Sequence, residues 1–422
     1  MDTRQAIEHC FHFLRANPQR GDVWGDFASA LRSAGQTDHA LRALRTALLL
    51  DPADVASWFD RAALLEDLGE PDAASYRRAL LLNPRMALIH NNIGNCFNDP
   101  SPLRHAVALE PGMTEAWYNL GRVGEDLPAF ERALAIQPDH AVAHTAFGAA
   151  LLGHGRMEQG WREYEWRWQT PLFAPHRRYF PQPRWQGEGG TVLLHGEQGF
   201  GDMIQFARYA IPAARLARII LEVPEPLVRL MRGIDGVDAV VARGATLPLF
   251  DYHCPLMSLP QLFPDPPPAP YLSAGDWPAL PGHGRKIGLV WSGSSQFHDH
   301  RRKAVPLEAL APLWKIPGID WFGLQLGAPC PPEITDLAPR LTDFAETAAA
   351  LSRLDLLITV DTAVAHLAGA LGRPAWLMLS LPLDWRWRGD WYSSLRHFPQ
   401  KTPGDWESVI ADLVSALDGW RR

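Results

Sequence analysis

The sequence predicts an α-helical repeat array followed by two parallel α/β units, and three observations carry that reading. A proline-ended helical echo recurs through the first third of the chain. From Thr191 onward the pattern changes to short apolar strands alternating with amphipathic helices. A dense proline run at 264–284 then divides that stretch in two. The 422 residues exceed what one core holds, so two or three domains are expected. The boundaries fall at 1–170 for the array, 171–190 for a connector, 191–263 for the first α/β half, 264–284 for a linker and 285–422 for the second half.

The repeats are the most regular feature. "ALLLDP", "ALLLNP", "AVALEP" and "ALAIQP" end at Pro52, Pro84, Pro111 and Pro138, and a fainter copy ends at Pro18, giving spacings of 34, 32, 27 and 27. Six residues after each proline stands a large ring: Trp24, Trp58, His90, Trp117 and His144. Ten after stands a small residue: Ala28, Ala62, Gly94, Gly121 and Gly148. A small residue lets two helices approach, the ring fills the space beside it, and proline ends the second helix because it has no N–H to give the ladder. This register resembles the tetratricopeptide (TPR) repeat, whose first helix opens Trp-x-x-Leu-Gly and whose second closes Ala-Leu-x-x-x-Pro. The resemblance implies a solenoid whose groove takes a peptide or protein partner; a purely bracing role is the alternative. The two 27-residue units are shorter by about two turns, which predicts a truncated first helix or turn. "GWREYEWRWQTP", with Trp161, Tyr164, Trp166 and Trp168, reads as a capping helix. "FAPHRRYFPQPRWQGEGG" reads as an extended connector.

In the first α/β half, "TVLLHG", "RIILEV" and "DAVVA" read as strands, with "MIQFARYAIPAARL" and "PEPLVRLMRGI" as helices. In the second, the strands are "KIGLVWSG", "IDWFGLQLG", "LDLLITVD" and "PAWLMLS". The closing helix "GDWESVIADLVSALDGW" is expected to pack back across the cleft. Two Rossmann-like halves whose strand ends line one crevice form the GT-B arrangement. The predicted fold class is therefore a TPR-like α-solenoid followed by a GT-B unit.

Composition narrows the partners. Apolar residues make up 47% and charged residues 21%, as in an ordinary folded protein. The net charge of -7 comes without a basic block, which argues against a nucleic-acid groove or an anionic membrane surface. Cys10, Cys96, Cys254 and Cys330 form no CxxC pair, so neither a zinc site nor a disulfide framework is indicated. "PAWLMLSLPL" falls well short of a membrane span and the first turns lack the apolar core of a signal peptide. A cytoplasmic protein is expected.

Two loops carry candidate chemistry. In "HGEQGFGDMIQFARY", Gly199 and Gly201 permit a tight turn and Asp202 opens a helix at the sheet rim. Asp202 reads either as a helix cap or as the base that deprotonates an acceptor hydroxyl. In "LDLLITVDTAVAHLAGALGRPAW", a strand ends at Asp361 and Thr362 and turns directly into an alanine-rich helix. Its free N–H groups and positive dipole end suit the diphosphate of a nucleotide-sugar, and His366 lies on the same face as Thr362. The bland alternative is an Asp/Thr cap and a buried histidine. "FHDHRRK" offers His298, Asp299 and His300, but alternating residues on one loop rarely close a metal site, so no metal is assigned. "DWRW", Asp384 to Trp387, reads as a packing element near the cleft rather than a sugar platform.

"DTAVAHLAGALGRPAW" is similar to the Asp-Thr-Gly/Ala-x-x-His signature of heptosyltransferase-like glycosyltransferase family 9, and "GFGDMIQFARYAIP" looks like that family's Gly-Asp loop and first helix. Repeats followed by such a unit also resemble bacterial TPR glycosyltransferases. The resemblance spans roughly 191–400 and implies a metal-independent hexosyl- or heptosyltransferase without a cofactor, with Asp202 as base. Asp361, Thr362, Ala363 and His366 are implied to bind the nucleotide-sugar, with Ala363 where glycine is usual. It further implies small hydroxyls and a cation for phosphate, supplied here by Ser292, Ser294 and one of Arg301, Arg302 or Lys303, of which Lys303 is assigned. Gln325, at the end of its strand, joins the donor set. The expected reaction is an inverting transfer from a nucleoside-diphosphate-sugar to a hydroxyl, most naturally on a protein or peptide held by the repeats. The alternative is a non-catalytic scaffold carrying a degenerate glycosyltransferase fold.

Overall fold

The computed structural model describes residues 2–70, 72–293 and 300–420, that of His300 by its backbone alone. The chain divides into two compact units, 1–150 and 151–422.

The first unit is helical: α1 (Thr3–Ala16), α2 (Gly21–Ser33), α3 (Thr37–Leu50), α4 (Val55–Asp67), α5 (Ala73–Leu82), α6 (Ala87–Cys96), α7 (Pro100–Leu109), α8 (Thr114–Gly124), α9 (Leu127–Ile136) and α10 (Ala141–Gly153). Consecutive helices pack as pairs, α2 on α3, α4 on α5, α6 on α7 and α8 on α9. Each pair turns through one left-handed residue: Gly35 (φ 71°), Gly69 (φ 77°), Asn98 (φ 53°) and Glu125 (φ 51°). Aspartates start several helices, with Asp54, Asp72, Asp99 and Asp126 accepting from the free N–H groups of the first turn.

The ring six residues past each proline has a specific task. The side chains of Trp24, Trp58 and Trp117 donate Nε1–H to the carbonyls of Pro18, Pro52 and Pro111 at 3.0, 3.0 and 2.9 Å. His90 and His144 reach the carbonyls of Pro84 and Pro138 through Nε2 at 3.0 and 2.9 Å. A carbonyl only accepts, so both imidazoles carry the proton on Nε2. The position therefore demands a ring with an N–H, which tryptophan and histidine have and phenylalanine lacks. The small residue ten past the proline serves close approach. A Cβ on Gly94 would lie 2.5 Å from Leu103 Cγ, and one on Gly121 would lie 2.7 Å from Phe130 Cγ. The later repeats are shortened in both helices, not in the first helix or turn alone. α2, α3 and α4 run 13 or 14 residues, whereas α6 to α9 run 10 or 11.

The second unit opens with α11 (Met157–Tyr164) and holds two parallel sheets. The first contains β1 (Thr191–His195), α12 (Phe200–Ala207), α13 (Ala210–Ala213), β2 (Arg218–Val223), α14 (Glu225–Met231), β3 (Val237–Ala242) and β4 (Tyr252–Pro255), with strand order β3-β2-β1-β4. The second contains β5 (Arg285–Val290), α15 (His300–Lys303), α16 (Ala311–Trp314), β6 (Ile319–Gly323), β7 (Thr335–Asp336), α17 (Phe344–Leu351), β8 (Leu356–Val360), α18 (Ala363–Ala370), β9 (Ala375–Leu379), β10 (Leu395–Pro399) and α19 (Trp406–Trp420). Its order is β10-β9-β8-β5-β6-β7. The order reverses between β1 and β4 and between β5 and β8, and ligand crevices of α/β sheets open at such points.

Three short strands, β4, β7 and β10, are absent from the sequence reading. The final helix also departs from expectation: α19 does not cross to the first half. Its Trp406, Val409, Ile410, Leu413 and Leu417 join Ile287, Leu289, Ile358 and Met378 in the core of the second sheet. The proline run is not a loose tether. Tyr271 N–H donates to Ala370 O (3.0 Å) and its hydroxyl to Ile204 O (2.9 Å), so the segment fastens α18 to α12.

Candidate active site

Two loop-to-helix turns meet in the second unit, one after β1 and one after β8. The contact between α12 and α18 passes through Gly201, where a Cβ would sit 2.8 Å from His366 Cδ2 and 3.4 Å from Ala363 Cα. Gly201 is thus needed for helix-to-helix approach. The turn itself works differently from expectation: its left-handed residue is Gln198 (φ 61°), while Gly199 is extended at φ -86°, ψ 170°.

The loop carrying Asp202 is braced from several sides. Arg167, fully buried, holds Glu197 through two bonds of 3.0 and 2.9 Å and also donates to Ser258 Oγ (2.9 Å). Burial opposes the Arg167 charge, but Glu197 and Glu165 beside it hold the guanidinium protonated. The guanidinium of Arg243 donates to Gly196 O. At the end of this loop, Asp202, in the first turn of α12, accepts from Gly199 N–H (3.1 Å), the one half of a capping box that a glycine N-cap permits.

The second oxygen of Asp202 has a partner that the sequence reading missed. Arg386 Nη2 lies 2.6 Å from Asp202 Oδ1, and Arg386 Nη1 donates to Asp384 at 3.0 and 3.3 Å. Arg386 rests on the Trp385 ring, 4.4 Å from its centroid. Burial works against its charge, and the two carboxylates outweigh burial and hold it well above the usual arginine range. Asp384 is likewise pulled below the usual carboxylate range: burial opposes ionisation, but Arg386, then Lys303, favour it. "DWRW" is therefore packing in its tryptophans, buried at 385 and 387, and charge chemistry in Asp384 and Arg386. A signal was present: an Asp and an Arg set among tryptophans in a loop at a strand's carboxyl end are poorly suited to packing alone.

On the other side, Thr362 is the N-cap residue of α18 and its hydroxyl meets Thr359 Oγ1 at 3.1 Å. The ammonium of Lys303 pairs with Asp361, and Arg302 donates to Pro382 O (3.0 Å). Gln325 is buried and accepts from the N–H groups of Trp291 (3.1 Å) and Ser292 (2.9 Å), so it fixes the course of the chain after β5. Gly293 packs near the Thr362 methyl, at 3.8 Å from its own would-be Cβ. Ser294, His298 and Asp299 lie outside the described residues, as does the side chain of His300.

His366 is 3% exposed and stacks on Trp387 at 4.5 Å between centroids. Its Nδ1 meets the Tyr392 hydroxyl at 3.3 Å, and among the described residues its Nε2 has no hydrogen-bond partner. Burial pushes its pKa down to about 3, against a smaller upward pull from Asp202, so the ring is neutral in ordinary buffers. It offers a hydrogen bond and not a positive charge. Tyr392, another residue the sequence reading passed over, is itself buried and held well above the usual tyrosine range by desolvation, then by Tyr271.

Residues 325–376 match Glycosyltransferase family 9 (heptosyltransferase). The matched segment runs from Gln325 through the Asp361 turn and α18 into β9. Protein FlbA of Caulobacter vibrioides is 26% identical over 96% of this chain and 74% of its own length. Among solved structures, MamA aligns with 39% of this chain and 98% of its own at 21% identity, with a TM-score of 0.32. YrrB, described as a TPR protein with an unusual peptide-binding site, aligns with 40% and 98% at 19% identity, with a TM-score of 0.33. The chain joins helical repeats in a TPR-like register to a unit whose residues 325–376 are similar to glycosyltransferase family 9, and the match supports glycosyltransferase chemistry. Among the described residues no helix is long and apolar enough to cross a membrane.

Proposed function

We propose that the second unit transfers a sugar, with inversion, from a nucleoside-diphosphate-sugar to an acceptor hydroxyl. Asp202 takes the hydroxyl proton as the oxygen attacks the anomeric carbon, and the nucleoside diphosphate leaves toward the start of α18. One observation carries the reading: Gly201 lets the turn bearing Asp202 pack directly on the first turn of α18, so a base and an anion-binding helix end share one place. With Tyr392 donating to His366 Nδ1, Nε2 holds the ring's proton and donates it to a diphosphate oxygen. Thr362 and the N–H groups of Ala363 and Val364 supply further donors, and Lys303 supplies charge. The positive charge comes from side chains and helix dipole, so we propose a metal-independent transfer. The repeats, in this reading, take a protein or peptide that carries the acceptor hydroxyl.

The test is transfer and donor hydrolysis across a panel of nucleotide-sugars, with mass spectrometry of host proteins as the acceptor screen. Asp202→Asn keeps the shape of the cap and removes the base, so turnover should fall by about 10²- to 10⁴-fold. Full activity in that variant would eliminate Asp202 as base. If no nucleotide-sugar or free nucleotide binds, the non-catalytic scaffold reading takes its place.

A further inference from the structure

The acids assigned to opposite sides of the reaction each sit on a cation. Asp361 is paired with Lys303, and Asp202 with Arg386. A diphosphate brings at least two negative charges to this site, and for Lys303 and Arg386 it competes with the carboxylates that already hold them.

Arg386 is built for an exchange of partners because its two terminal nitrogens have different attachments. Nη1 is fixed on Asp384 by bonds of 3.0 and 3.3 Å, and the guanidinium lies over the Trp385 ring, 4.4 Å from its centroid. Nη2 reaches out to Asp202 at 2.6 Å, with Gln198 Oε1 more distant at 3.5 Å. Asp202 begins the helix whose Gly201 touches the first turn of α18. Nη2 is thus bonded to the residue that follows Gly201, on the turn packed against the helix end that the proposed diphosphate occupies. While it holds Asp202, both carboxylate oxygens are engaged, one by Arg386 and one by Gly199 N–H.

Resting on the donor reading above, we infer that Arg386 is shared between Asp202 and the donor diphosphate, so that arrival of the diphosphate transfers Nη2 to phosphate and frees the base. Asp384 and Trp385 keep the arginine anchored through the exchange. Arg386 is then a positioning residue for Asp202 and a ligand of the diphosphate, and deprotonation of the acceptor follows donor binding.

Calorimetric titration of the full chain with inorganic pyrophosphate and with a panel of nucleoside diphosphates tests this. Compared are the wild type, Asp202→Asn, Arg386→Gln, Arg386→Lys and the double variant Asp202→Asn/Arg386→Gln. Release of Arg386 by Asp202→Asn should tighten binding ~3- to 10-fold, and Arg386→Gln should weaken it ~10-fold or more. In the Arg386→Gln background the Asp202→Asn gain should shrink to less than a third. Arg386→Lys keeps the positive charge and guards against misfolding; it should bind with intermediate affinity. A gain of equal size in both backgrounds reports simple charge removal and overturns the inference, as does unchanged or weaker binding in Asp202→Asn. Those outcomes leave the donor reading standing. No binding of any of these ligands by the wild type overturns the donor reading and the inference together.

Discussion

The repeat array and the second unit are held by opposite means. The array repeats one modest interaction, a ring N–H on a proline carbonyl, from Trp24 to His144, with small residues at its close contacts. The second unit rests on a few charge pairs of high stake: Arg167 with Glu197, both buried, and Arg386 with Asp202, 12% and 17% exposed. Redundant weak contacts should tolerate loss of any one, whereas a buried charge left without its partner should not.

The largest effect is expected of Arg167→Met, which strands Glu197 at 1% side-chain exposure. Stability of the second unit in chemical denaturation should fall by about 3–5 kcal/mol. A loss no greater than that of an array substitution would remove the contrast. Next is Gly201→Ala, whose methyl meets His366 at 2.8 Å. It should cost about 1–3 kcal/mol by overpacking and reduce transfer, as Asp202 is forced away from α18.

Acid should separate the two regions further. His366 is depressed to about 3 when folded and titrates near 6.5 when unfolded, so the unfolded chain binds the extra proton between those values. Its stabilising share is full above about pH 6.5 and is lost as pH falls, at about 1.4 kcal/mol per unit. Denaturation midpoints of wild type and His366→Gln from pH 7 to 5 should show the variant with the shallower slope. Equal slopes would mean that His366 is charged or exposed in the folded chain. The smallest effect belongs to the array: Trp58→Phe removes the bond to Pro52 O and should cost about 1 kcal/mol, whereas Trp58→His should keep the bond.

Legibility followed the same division. A period announces itself, so the proline register, the rings and the small residues are visible without coordinates. Asp202 and the Asp361 turn are also visible, because each sits where an apolar strand gives way at once to a helix. Arg386, Tyr392 and Glu197 are not, since their meaning lies in partners far away in sequence: Asp202, His366 and Arg167. The short strands β4, β7 and β10 hide because two to five residues carry too little alternation to be told from loop. Gly201 suggests backbone freedom in the sequence, yet in the fold it is the lack of a side chain that matters.

The choice between tryptophan and histidine in the proline-facing slot has an outcome at low pH. A doubly protonated imidazole still donates through Nε2, so His90 and His144 can hold their carbonyls whichever charge they bear. Two histidines of the second unit have no such indifference: His195 and His366 are buried as neutral rings, and desolvation is the main force on each. Acidification therefore penalises the second unit through these buried histidines, while the proline-facing bonds of the array keep their donors.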